Sequence, residues 1–145
     1  MHREVIIYII NNKKEILLQK RSSTKKHHPN KWALCSGHVE DFDEDFEAAA
    51  VRELNEELGL IISKEELELV FIKELVDDSK DKHITKYYVL HTDKNENDFV
   101  LQKEELSEVK WYEITKVIDM MENKSQDIVF SDSMLTILKS INKDI

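Results

Sequence analysis

The chain has 145 residues, of which 41% are apolar, and it carries a formal net charge of −9 with one cysteine, one proline and two glycines. That length suits one domain with a genuine core, while the acidic balance excludes sequence-blind binding to a nucleic-acid backbone, which needs a basic surface. A lone cysteine, Cys35, excludes an intrachain disulfide, and the apolar run Val5 to Ile10 is too short for a signal segment or a membrane span, so the expected compartment is the cytoplasm.

In chain order, Glu4 to Ile10 and Glu15 to Lys20 are apolar runs around the polar tetrad Asn11, Asn12, Lys13 and Lys14, the pattern of a β-hairpin. Arg21 to Lys31 is a loop holding Lys25, Lys26, His27, His28 and Pro29. Positive charge gathered there suits either a phosphate or pyrophosphate guest or the simple balancing of nearby acids. Trp32 to Ser36 reads as a short strand. Phe46, Ala50, Val51, Leu54 and Leu58 then recur at helical spacing, and Gly59 follows as a left-handed helix stop. Leu67 to Val76 and His83 to His91 read as strands joined by the charged turn Asp77 to Lys82, with β-forming Tyr87 and Tyr88 on the second. A polar loop at Asp93 to Asp98 and an acidic segment at Gln102 to Glu108 precede a short strand at Val109 to Tyr112. Ile114, Val117, Ile118 and Met121 mark one amphipathic helix. Met134, Leu135, Ile137, Leu138 and Ile141 mark another behind the N-cap Ser131.

The densest chemistry lies on the helix before Gly59. Glu53, Glu56 and Glu57, spaced i, i+3 and i+4, fall within an arc of roughly 100°. Like charges so placed repel by a few tenths of a kcal/mol per pair, and a bound hard cation would offset that cost. Glu57 also borders the apolar stripe, where partial desolvation makes an unpaired carboxylate more expensive. Arg52 stands one turn before Glu56 and can pair with it. A bare ExxEE in so acidic a chain is usually a solvated helix edge; the longer string around it is more specific.

Glu44, seven residues, and then Arg52, Glu53, Leu54, Asn55, Glu56, Glu57, Leu58, Gly59 and Leu60 resemble the signature of the Nudix hydrolases, a glycine, five residues and a glutamate followed by seven residues and REUxEExGU, U being aliphatic. The second half matches at every specified position. The first half has six residues between Gly37 and Glu44, with Asp43 where strict counting puts the glutamate; counting back from Arg52 selects Glu44 and reads one extra residue into the loop. The glycine usual before that glutamate is absent, so Asp41 or Asp43 is expected to supply the turn. Lys20 to Glu40 resembles a Nudix subgroup in which KRS, a lysine, a proline, a tryptophan and GHV occur in this order, a neighbourhood that includes relatives of isopentenyl diphosphate isomerase; the isomerases themselves use a cysteine close before a histidine, as Cys35 and His38 stand here. A small core cysteine and a hydrogen-bonded strand-end histidine are the alternatives for those two.

The resemblance implies an α/β (α+β) domain over residues 1–145 with the Nudix fold, a mixed curved β-sheet sandwiched between helices. It implies hydrolysis of a pyrophosphate linkage in a nucleoside diphosphate joined to another moiety, with Mg2+ or Mn2+ as cofactor. Glu53 and Glu57 are then the leading metal ligands, Glu56 completes the group, and the Gly37 carbonyl reaches the metal. Arg52 would orient Glu53, Glu44 would brace Arg52 or the loop, and Glu53 or Glu105 would activate water, with Glu104 as neighbour to the latter. Tyr87 or Tyr88 would face a base or sugar, or pack in the core. The expected partner is a small nucleotide, with a capped RNA end the one nucleic-acid substrate kept. The alternative, an isomerase acting on a prenyl diphosphate, rests on Cys35.

Overall fold

The computed structural model describes residues 1–145, as seven strands and three α-helices: β1 (His2–Ile10), β2 (Glu15–Arg21), β3 (Trp32–Ala33), β4 (Cys35–His38), α1 (Phe46–Leu58), β5 (Glu68–Val76), β6 (Lys82–His91), β7 (Leu106–Glu113), α2 (Ile114–Glu122) and α3 (Asp132–Asp144). The unbroken apolar run of β1 reflects burial on both faces. Side chains alternate across a strand, so Val5, Ile7 and Ile9 pack with Ala49, Ala50, Leu54 and Leu58 of α1. Ile6, Tyr8 and Ile10 pack on the other side with Val117, Ile118 and Met121 of α2 and Ile137, Leu138 and Ile141 of α3. A mixed sheet thus lies between α1 on one face and the α2–α3 pair on the other.

One edge of β1 is occupied along its whole length by β6, which runs parallel from the pair His2 and His83 to the pair Ile10 and His91. The other edge forks. The expected hairpin forms a ladder only at its tip, where Ile10 faces Ile16, and β1 and β2 then part. The segment expected as a single strand at Trp32 to Ser36 fills the gap as two: Trp32 and Ala33 pair with Lys20 and Gln19 of β2, and Cys35 to His38 pair with Ile7 to Glu4 of β1. Leu34 is buried at the crossing. Gly37 and the end of β4 are thereby delivered beneath α1.

One strand boundary and one helix face depart most from the sequence expectation. The strand expected at Val109 to Tyr112 begins at Leu106, because a register shift opposite Lys20 and Arg21 skips Ser107 and turns both Leu106 and Val109 inward, which destroys the alternation that would mark it. On α1, Ala49 is fully buried whereas Val51 is only half-buried. The apolar stripe therefore lies closer to the acidic edge, and Glu57 sits within it. No helix is long and apolar enough to cross a membrane.

Gly59 ends α1 at φ 65° and donates its N–H to Asn55 O at 3.0 Å, while Leu60 N donates to Leu54 O at 3.1 Å. A Cβ at position 59 would lie 2.7 Å from Val100 Cβ. Gly59→Ala should therefore lower stability by about 1–2 kcal/mol for the left-handed backbone alone. A urea melt should show a lower midpoint with an unchanged slope.

Candidate active site

Arg52 is the hub of the site. Its Nε donates to Asp43 Oδ1 at 3.0 Å and its Nη2 to Asp43 Oδ2 at 2.9 Å, a two-point clasp of guanidinium on carboxylate. Nη2 also donates to the His38 carbonyl at 3.1 Å, at the end of β4. Nη1 donates to Glu53 Oε1 at 3.1 Å and to Glu56 Oε2 at 3.2 Å. Helix, loop and strand are tied together at one cation. The Asp43 side chain is only 4% exposed, and its bonds to Arg52 hold its carboxyl below the ordinary value.

Glu53 lies flat against Gly37: a Cβ there would fall 2.5 Å from Glu53 Cγ and 2.6 Å from its Oε1. Only glycine leaves room for that carboxylate. Burial raises the Glu53 carboxyl above its usual value, with Arg52 opposing and Glu56 adding to the rise.

Glu57 is buried, 9% exposed, and its Oε2 has no hydrogen-bond partner. Burial first, and then the negative charges of Glu53 and Glu105, push its carboxyl up to about 8; Lys25 and the Gln19 amide oppose the shift. Glu105 arrives on a loop docked to the end of α1, where Gln102 N donates to Glu57 O at 3.0 Å. It accepts a hydrogen bond from Lys25 Nζ, a link from the basic loop that spans 80 residues of sequence.

Glu53, Glu57, Gly37, Arg52 and Glu105 therefore converge. Glu56 stays at the rim, with its side chain about half exposed and turned toward Arg52. Glu44 does not brace Arg52: its side chain is 83% exposed and its nearest cation is Lys64, 3.9 Å away. Asp43 makes the clasp instead, because the extra loop residue leaves Glu44 pointing to solvent one position short of the N-cap Asp45. Glu104 is exposed. Of the basic loop only Lys25 reaches the acids, while Lys26, His27 and His28 face water. Tyr88 is buried and donates to Glu47, and Tyr87 is buried on the opposite face, so both are core residues rather than base or sugar contacts. Gln19, absent from the sequence expectation, shares the inward parity of Leu17 on β2 and is buried, a polar residue on an apolar face that could have been noticed.

An orphaned, desolvated carboxylate oxygen with two further acids beside it fits a hard divalent cation, whose preferred ligands are oxygens. It also makes the metal-free protein sensitive to pH. Between about 4.5 and about 8 the folded state holds a proton on Glu57 that the unfolded chain has lost, so stability should fall as pH rises through that window. Glu57→Gln removes the effect. Its metal-free melting temperature should match the wild type near pH 5 and exceed it by roughly 5 °C near pH 8.5; the same offset at both pH values would contradict the assignment.

A family model described as NUDIX domain matches residues 1–131. No curated protein matches the chain at a significant level. Among solved structures, the fold is similar to that of a MutT protein from Methanosarcina mazei Go1, with 21% identity over 99% of this chain and 94% of that one and a TM-score of 0.72. It is similar to an Ap4A hydrolase from C. elegans in a binary complex, with 22% identity over 97% of this chain and 96% of that one and a TM-score of 0.63. It is also similar to the NUDIX domain of Shewanella oneidensis NrtR complexed with ADP ribose, with 17% identity over 98% of this chain and 86% of that one and a TM-score of 0.69. At such identities the structures speak to the fold, and the family match over most of the chain speaks to descent: the chain belongs to the Nudix hydrolase family.

Proposed function

We propose that the protein is a Mg2+- or Mn2+-dependent pyrophosphohydrolase acting on a nucleoside diphosphate joined to another moiety. The observation that carries the metal dependence is the unpartnered Oε2 of Glu57 inside the apolar stripe of α1. ADP ribose in the NrtR complex and the Ap4A of the C. elegans enzyme support the substrate class.

Glu57 and Glu53 would hold the cation, with Glu56 completing the set from the rim and the Gly37 carbonyl adding an oxygen. When bound, the cation neutralises charge on the phosphate oxygens and lowers the pKa of a coordinated water. The chain does the rest. Asp43 fixes Arg52, Arg52 opposes the rise that burial imposes on the Glu53 carboxyl and holds it against Gly37, and the close fit at Gly37 leaves the carboxylate one position. Lys25 screens Glu105 and presents a positive charge to an incoming phosphate. The proton of the attacking water passes to Glu53 or Glu105, the two carboxylates whose charges meet at Glu57.

The isomerase alternative needs a protonating acid and, across the substrate, an accessible thiol, which only Cys35 could supply. Cys35 is 1% exposed within the α1-side core, and burial together with Glu57 and Glu53 pushes its thiol up, which keeps it protonated and enclosed. Its environment is that of a packing residue.

Assays of ADP ribose, nucleoside triphosphates and dinucleoside polyphosphates with Mg2+ should show phosphoanhydride hydrolysis, and Mg2+ should raise the melting temperature by binding only the folded state. Glu57→Gln should lose both responses, with turnover down by orders of magnitude. No turnover on any such substrate, together with a melting temperature indifferent to millimolar Mg2+ and Mn2+, would overturn the reading. Within the clasp, Asp43→Asn should cost roughly 10-fold or more in turnover, as loss of a residue that orients a ligand does. Glu44→Gln should leave the rate near wild type; the reverse ranking would restore Glu44 as the brace.

A further inference from the structure

Three side chains that the hydrolytic site does not use meet at the start of β1. Parallel pairing sets His2 opposite His83, and their rings stack with centroids 4.5 Å apart and planes 16° apart. Asp81, the residue before β6, brings Oδ2 to 2.6 Å from His2 Nε2. One ligand atom from each of the three lies within 4.8 Å of the others, whereas in α1 Glu53 and Glu56 are turned onto Arg52.

The turn that carries Asp81 is ordered by its own hydrogen bonds. Asp77 Oδ1 accepts from Ser79 N at 2.9 Å and from Asp81 N at 3.0 Å, Asp77 N donates to Asp81 O at 3.0 Å, and Lys80 N donates to Asp77 O at 2.9 Å. The other oxygen of Asp77 lies 2.9 Å from His83 Nε2. With that nitrogen donating, the His83 lone pair is on Nδ1, the division in which an outer carboxylate orients a metal-bound imidazole.

We propose that His2, Asp81 and His83 form a second metal site, for a first-row transition ion such as Zn2+ or Ni2+, with Asp77 as the outer carboxylate. The chemistry of the set differs from that of α1. Two imidazoles and one carboxylate favour Zn2+, Ni2+ or Co2+, whereas an all-oxygen set favours Mg2+ or Mn2+. Three protein ligands leave coordination positions for water, and the side-chain exposures, 60% for His2, 36% for Asp81 and 38% for His83, allow an ion to enter. In the competing, metal-free arrangement Asp81 is shared between His2 and the amino terminus, which lies 2.9 Å from its Oδ1, and His83 stays on Asp77.

The sheet separates the two sites. His2 shares the parity of Ile6 and Tyr8, which pack with α2 and α3, and His83 shares that of Tyr87 and Val89 in the same layer, while α1 covers the other face. The ion would tie the first residues of β1 to the turn between β5 and β6.

The test is a Zn2+ titration of the full chain without a polyhistidine tag, at saturating Mg2+ so that the α1 acids are occupied, read by competition with a chromophoric chelator and by the electronic spectrum of bound Co2+. One Zn2+ per chain is expected. His83→Ala and His2→Ala should each weaken binding by at least roughly 10-fold, and Asp77→Asn by roughly 10-fold as an outer-shell change. Glu57→Gln and the His27→Ala, His28→Ala double variant should bind as the wild type does. Circular dichroism checks that each variant is folded, and His2, at an exposed strand start, is the second variant should His83→Ala not fold. Mg2+-dependent turnover should be unchanged in His83→Ala. Absence of micromolar Zn2+ binding, binding that survives both histidine changes, or binding lost only in Glu57→Gln would each overturn the site.

Discussion

The helical repeat of α1 forces a carboxylate into the core stripe. Ala49, Ala50, Leu54 and Leu58 seat the helix on the sheet, and at 3.6 residues per turn position 57 belongs to the same face. An apolar side chain there would have served the fold better, since a desolvated acid with one oxygen unpartnered opposes folding. The neighbours deepen the problem: Glu53 stands one turn earlier, and a loop folds back to add Glu105, with Lys25 and Gln19 opposing. A negative hole of this kind, built against its own stability, is the expected form of a site completed by a cation.

Arg52 is what makes the hole a defined object. Its bonds reach the loop at Asp43, the end of β4 at His38, and two of the three helix acids, so the position of Glu53 relative to Gly37 is fixed by three segments at once. A bidentate Arg–carboxylate pair depends on geometry rather than on a residue count. A loop longer by one residue, carrying a side chain shorter by one methylene, still closes on the guanidinium.

The parts of the fold legible in the sequence are those set by local chemistry: the two-faced burial of β1, the amphipathic stripes of the helices, the Ser131 N-cap and the left-handed stop at Gly59. What was not legible is set by pairing across distance. The fork between β1 and β2, the passage of Trp32 to His38 through it, and the bulge at Ser107 leave no periodic trace. The acids of α1 could be named because they share one helix. Choosing between Asp43 and Glu44, adjacent in sequence, required knowing where the loop crosses Arg52. His2 and His83 meet only through the parallel register of β1 and β6, and Lys25 meets Glu105 only through the docking of two loops.

The central claim, that Glu57 is buried with one carboxylate oxygen unpartnered until a cation arrives, is tested most directly by following carboxyl carbons of labelled glutamate by NMR through a pH titration, with Glu57→Gln assigning the resonance. Without metal, one glutamate should titrate near 8, well above the ordinary 4.5. With saturating Mg2+ its midpoint should move far down in pH, because the cation favours the ionised form. A Glu57 resonance that titrates near 4.5 in the metal-free protein and does not respond to Mg2+ would contradict the account.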